Sequence, residues 1–250
     1  MIRQVLFAFA LIPAIFAQQR NFIACPIVRD TKTVPCFLAE YEGEAYFLTI
    51  QQDISAELYP PQLLHEVLVE GTVAPGPRVC GGIPLKPVKL SVMPELNLAC
   101  NTILPAEPGI EAPPTRRPAG PSTRQAPITT APPPPERFTP PFSERQWKVA
   151  FDFDSAYLNS RATRMLSQVA EFAAAAKAKS VEVTAHRSAT LLSNGKAVTE
   201  AEAVAAKRAS AVADLLRGLG VDATVLKVSS VAEVSRPDGD NRIVSIRVSP

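Results

Sequence analysis

The sequence predicts an α+β fold in two unequal parts, and three observations predict it. Apolar residues alternate at strand period on both sides of a proline-rich segment. Two helical apolar stripes fall only in the C-terminal part, between such strands. About half of the 25 prolines lie between residues 105 and 143, where no hydrophobic period is visible. The expected organisation is a signal peptide at 1–17, a small β-rich domain at 21–104, a disordered Pro-rich linker at 105–143 and a two-layer α/β sandwich at 147–250.

The leader is read from Arg3, the apolar run Val5–Ala17 broken only by Pro13, and a cleavage-compatible Ile15-Phe16-Ala17 followed by Gln18-Gln19-Arg20. The run is shorter than the ~20 apolar residues a spanning helix needs. An uncleaved anchor is the other reading, and a lipoprotein signal at Cys25 is disfavoured because polar residues 18–20 interrupt the run. After cleavage no transmembrane helix is expected.

Four cysteines, Cys25, Cys36, Cys80 and Cys100, all precede the linker. An even number in an exported domain suggests two disulfides, with three possible connectivities. The expected pairing is Cys25–Cys36 and Cys80–Cys100. The spacing lacks the paired ligands of a zinc site, so no metal and no cofactor is expected.

In the first domain, Thr33–Tyr41 and Ala45–Gln51 flank a Glu42-Gly43-Glu44 turn and form a hairpin. Val67–Val73 is a third strand, with Gly71 marking a bulge or bend, and Lys89–Met93 a fourth. A short helix fits within Ser55–Leu68. Such strands suit a small barrel of the oligonucleotide/oligosaccharide-binding (OB) shape, without implying a ligand. His65 is read as a surface or hydrogen-bonded residue, and Phe37, Tyr41, Tyr46 and Phe47 as core. The domain is acidic and the whole chain carries only +2, which excludes nucleic acid as an expected partner. The linker, if extended as polyproline II at ~3.1 Å per residue, spans up to roughly 100 Å. It is read as a passive spacer rather than a recruited PxxP ligand.

In the second domain, Val149, Phe151 and Phe153 give one strand face, and Asp154 or Ser155 caps the next element. That element is a helix at Arg161–Lys177 with Met165, Val169, Phe172 and Ala176 on one side. Next come a strand at 180–186, a helix from Glu200 to Arg217 ended by Gly218 or Gly220, and strands at 223–228 and 242–248. On the second helix Val212 shares its face with Leu215, Leu216 and Leu219, and so does Arg208. A guanidinium in an apolar stripe is expensive unless something anionic meets it.

Several motifs carry a resemblance. Phe151-Asp-Phe-Asp-Ser-Ala-Tyr-Leu158, Ala185-His186-Arg187-Ser188, Lys207-Arg208-Ala209 and Asn241-Arg242-Ile243-Val244-Ser245-Ile246 stand in order and at suitable spacing. With them the second domain resembles the OmpA-like C-terminal domain, the peptidoglycan-associating module of Gram-negative envelope proteins. The resemblance covers about the last hundred residues. It implies a periplasmic, outer-membrane- or cell-wall-associated protein that binds the diaminopimelate of the peptidoglycan stem and tethers its first domain to the wall. It implies Arg208 on the ligand carboxylate, with Ser188, His186, Arg187, Asn241 and Arg242 around it. The sequence departs from the family pattern at Ser188, where the family has the Asp that accepts the ligand ammonium. It departs also at Ala185, Ala201 and Ala205 and in a longer loop at Ala189–Glu200. A neutral acceptor in place of a charged one lowers affinity by on the order of tenfold.

Three functional readings are compatible with this pattern. One is a peptidoglycan tether. The second is a degenerate OmpA-like domain serving as a protein-interaction scaffold, whose residues 21–104 dock in an envelope complex. The third is an enzyme, disfavoured because no nucleophile, metal or phosphate motif is present and Asp152 and Asp154 fit solvated or capping roles better than acid–base work. Arg208 is either a ligand contact or the centre of an internal ion pair with Asp238 or Asp240. His186 fits a strand-end residue bonded to the loop, and Asn241 and Arg242 fit a turn and a strand start as well as they fit a site.

Overall fold

The computed structural model describes residues 18–51, 62–113, 138–234 and 236–250. The expected signal peptide, the first half of the expected helix within 55–68 and the proline-rich stretch 114–137 lie outside the described residues.

The first domain is one seven-stranded sheet, ordered β1-β5-β6-β4-β3-β2-β7. The strands are β1 (Gln19–Ala24), β2 (Pro26–Arg29), β3 (Cys36–Tyr41), β4 (Glu44–Ile50), β5 (His65–Val73), β6 (Ile83–Leu96) and β7 (Ile103–Leu104). The β3–β4 hairpin turns at Glu42 and Gly43, both at positive φ, as a tight two-residue hairpin turn requires. The β5–β6 register slips between Gly71 and Val73, so the expected bulge is there. A Cβ on Gly71 would lie 3.1 Å from that of Leu85. The long β6 bends the sheet, pairing with β4 through Ile83–Pro84 and with β5 along most of its remaining length. The core therefore draws Phe22, Phe37, Ala39, Tyr46, Leu48, Val67, Val69, Leu85 and Leu90 from five strands.

Three expectations for this domain are corrected. The disulfides are Cys25–Cys100 and Cys36–Cys80. Cys25 sits at the β1–β2 junction and Cys36 at the start of β3, so the sheet carries these sequence neighbours to different partners. Residues His65–Leu68 are strand, not helix: His65, Val67 and Leu68 pair with Leu96, Val92 and Ser91. Residues at both ends of the stretch expected as a disordered linker are packed instead. Ile110 and Ala112 pack beside the Cys36–Cys80 disulfide, and Phe138 and Phe142 meet Phe172 edge-on at 5.1 and 5.9 Å.

The second domain sets two helices on one face of a four-stranded sheet ordered β12-β9-β13-β8. Its elements are β8 (Arg145–Ala150), α1 (Ser160–Ala175), β9 (Ser180–His186), a hairpin of β10 (Ala189–Leu191) and β11 (Ala197–Thr199), α2 (Val204–Gly218), β12 (Leu226–Val231), a 3-10 turn at Gly239–Asn241 and β13 (Ile243–Ser249). The core stacks Leu166, Val169 and Phe172 of α1 and Val212 and Leu216 of α2 on Val181, Val183, Val244, Ile246 and Val248. The strand pattern read from sequence matches β9 residue for residue. Several details differ. Asn159, not Asp154 or Ser155, caps α1 by accepting from the Ala162 amide. The strand expected at 223–228 runs at 226–231. Leu219 is the C-cap of α2 and exposed. Helix α2 starts at Val204, which leaves Glu200 in the loop before it.

The two domains touch directly. The Asn21 side chain donates to Leu191 O, while the Asn21 backbone N–H donates to Ser193 Oγ and the Asn21 backbone carbonyl accepts from the Ser193 backbone N–H. Ser91 on β6 accepts from the Phe153 amide at 2.9 Å. Glu70 on β5 pairs with Arg242, and Lys89 with Asp240.

Candidate functional site

The site forms where the C-terminal ends of β8 and β9 and the N-terminal half of α2 converge. Arg208 points from α2 into that corner and is fully buried. Its Nε donates to Ser155 O at 2.7 Å, Nη1 to His186 O at 3.1 Å and Glu200 Oε2 at 2.9 Å, and Nη2 to Asp152 O at 2.9 Å and Glu200 Oε1 at 2.5 Å. A guanidinium has five N–H donors, and all five are engaged. The Phe151 ring lies 5.2 Å from its central carbon and adds a cation–π contact.

Glu200 is as completely held. Oε1 also accepts from the Asp154 amide at 2.9 Å, and Oε2 from the Ser188 amide at 2.8 Å. Two backbone amides and a bidentate guanidinium are what a carboxylate receptor offers, and here the carboxylate comes from the chain itself. The turn that presents the Asp154 amide puts Asp154 at φ +52°, a conformation Asp tolerates better than most residues. Asp154 Oδ1 in turn accepts from the Ala201 amide at 2.7 Å, which fixes the loop carrying Glu200. The ion-pair partner of Arg208 is thus Glu200, not Asp238 or Asp240. Asp238 accepts from the Asp240 amide, and Asp240 meets Lys89.

The other expected residues fall in two groups. Ser188 is buried, and its hydroxyl donates to Asp238 O. Arg187 turns along the rim, with Nε on Glu200 O at 2.6 Å and Nη1 on Ala232 O at 3.2 Å. His186 contributes its carbonyl to Arg208. Asn241 is exposed in the 3-10 turn. Arg242 is buried against the first domain, with Phe153 6.0 Å below it. Asp152 lies between the two arginines. Burial raises its carboxyl above the ordinary value, and Glu70 adds to the rise, while Arg242 and Arg208 pull it down.

Sequence reasoning misses Glu200 and Glu70. Glu200 stands eight residues before Arg208, too far for a helical pair. The hairpin β10–β11 closes through a five-residue turn, Leu192–Lys196, in which Asn194-Gly195 is a turn signal and Gly195 takes φ +81°.

Residues 150–247 match the model of the OmpA family. The C-terminal domain is an OmpA-like domain. Solved structures similar to it include the OmpA-like domain of FopA1 from Francisella tularensis subsp. tularensis SCHU S4, at 22% identity over 42% of this chain and 72% of that one, TM-score 0.34. A MotB-like protein from Desulfovibrio vulgaris is similar at 15% identity over 43% and 76%, TM-score 0.34. The periplasmic domain of Helicobacter pylori MotB is similar at 20% identity over 43% and 76%, TM-score 0.32. No curated protein matches the chain. Among the described residues, no helix is long and apolar enough to cross a membrane. In this OmpA-like domain the corner where α2 meets the strand ends is closed by Glu200.

Proposed function

We propose that the chain is a non-enzymatic protein of the cell envelope whose OmpA-like domain works as an interaction scaffold. It holds the N-terminal β domain and does not read diaminopimelate through Arg208. The observation that carries this reading is the Arg208–Glu200 pair: every guanidinium donor is used, and the carboxylate that uses them belongs to the same domain. A ligand carboxylate would have to expel Glu200 from four hydrogen bonds and leave a buried anion without a partner, a loss of about 3–5 kcal/mol. The two disulfides fit export to an oxidising compartment, and the leader read at 1–17 fits the same route.

The family match favours a second reading, in which the domain binds peptidoglycan and tethers the first domain to the wall. Sedimentation of the purified full chain with isolated peptidoglycan sacculi separates the two. The scaffold reading expects the wild type to stay in the supernatant. It is overturned by co-sedimentation that Arg208→Lys abolishes in a sample whose near-ultraviolet circular dichroism is unchanged.

A further inference from the structure

Beside the filled corner lies a second buried guanidinium in a different situation. Arg242 is 3% exposed. Its Nη1 donates to Thr190 Oγ1 at 2.9 Å and to Glu70 Oε1 at 3.3 Å, and its Nη2 donates to Glu70 Oε2. The Thr190 hydroxyl donates its own proton to Glu70 Oε1 at 2.8 Å. Arg242 Nε is buried and has no acceptor. Gly239 forms the remaining wall. A Cβ there would run into the Glu70 carboxylate and come within 3.2 Å of both Arg242 Nη1 and Thr190 Oγ1.

Arg242, Thr190 and Gly239 all belong to the OmpA-like domain, and the carboxylate between them comes from the other domain. A two-pronged guanidinium with a hydroxyl donor is the chemistry that recognises a carboxylate, and the missing side chain at 239 gives it room. The contacts around it (Asn21 with Leu191 and Ser193, Ser91 with Phe153, Lys89 with Asp240) are polar. Polar contacts of this kind characterise interfaces between domains that separate.

We infer that Arg242, Thr190 and Gly239 form a carboxylate-receptor site of the OmpA-like domain, separate from the Arg208 corner, and that Glu70 is its built-in occupant. The ligand class is an acidic side chain presented on a protein strand, and the first domain presents one in cis as a latch. Because Arg208 takes no part, the site stands whether or not sacculi bind.

The test is chemical rescue in the full chain. Glu70→Gly removes the occupant, and propionate matches the lost side chain beyond the backbone. At constant ionic strength, propionate raises the Tm of Glu70→Gly by on the order of a few degrees at concentrations well above its Kd. It leaves the wild type and the double variant Glu70→Gly/Arg242→Met unmoved, and neutral propionamide moves none of them. The site is refuted if Glu70→Gly responds no more than the wild type, or responds equally without Arg242. Hydrogen exchange on Glu70→Gln supplies a second readout that needs no cavity. The Asn21 and Ser193 amides, which bond across the interface, lose protection while β9 and β13 keep theirs. Unchanged protection at Asn21 and Ser193 refutes the latch.

Discussion

Arg208 and Arg242 are both buried, both bidentate to a glutamate and both set above a phenylalanine ring, yet they serve different ends. Arg208 finds its glutamate eight residues away in the same domain. All its donors are used, and the partner carboxylate is pinned by two amides. Arg242 finds its glutamate 172 residues away in another domain, and its Nε has no acceptor. The first pair is part of the domain's own architecture and cannot separate without disturbing α2 and the strand ends. The second pair exists only while two domains are docked. An ion pair closed within one folding unit fixes a shape, whereas one that bridges two units sets an equilibrium between them.

The largest effect is expected where the pair is closed. Glu200→Ala leaves Arg208 buried without its counter-charge and frees the Ser188 and Asp154 amides, so denaturant unfolding of the second domain should show a loss of about 3–5 kcal/mol. A loss under about 1 kcal/mol would mean that water reaches the guanidinium and that the pair is no keystone.

Glu70→Ala should be milder, about 1–3 kcal/mol, because undocking lets water solvate Arg242. Its signature is qualitative as well. One unfolding transition should split into two as the domains lose their coupling. An unsplit transition with a loss as large as that of Glu200→Ala would erase the distinction between the two arginines.

The smallest effect concerns Asp152, which faces both guanidiniums and Glu70. Its folded pKa is raised, chiefly by burial. The fold therefore favours the protonated carboxyl, a contribution complete below the ordinary carboxylate value and lost as pH rises through the folded one. Asp152→Asn imitates the protonated form. Its Tm should exceed that of the wild type near neutral pH, and the gap should close below about pH 4. A gap that persists in acid would assign the gain to packing instead of charge.

The sequence exposed the periodic elements of the second domain because their burial is one-sided: Val181, Val183 and Ala185 alternate with polar residues, and the helical stripes are clean. The first domain is less legible. Strands β1 and β2 meet at Cys25-Pro26 without a turn signature, and β6 carries three prolines, which argue against a long strand. For the candidate site, the sequence showed that Arg208 needed an anion but not which one. The Glu200 side chain reaches it only because the Asp154 turn and the hairpin bring the loop back over α2. The docking surface left one readable trace. Val67, Leu68 and Val69 are three consecutive buried residues on an antiparallel strand, so both faces are covered. Leu68 and Glu70 share the face that does not meet the first domain's own core, and Leu68's cross-strand partner is Ser91, which holds Phe153.

The nested disulfides also set how the first domain carries mechanical load. Cys36–Cys80 lies inside the span of Cys25–Cys100. Tension applied at residues 18 and 113 therefore bypasses everything between Cys25 and Cys100. Only the short runs outside that bracket can extend, roughly 70 Å of chain, against roughly 330 Å if both bridges were reduced. In an oxidising compartment the domain is a link of limited reach, and under reducing conditions the same polypeptide extends several times further.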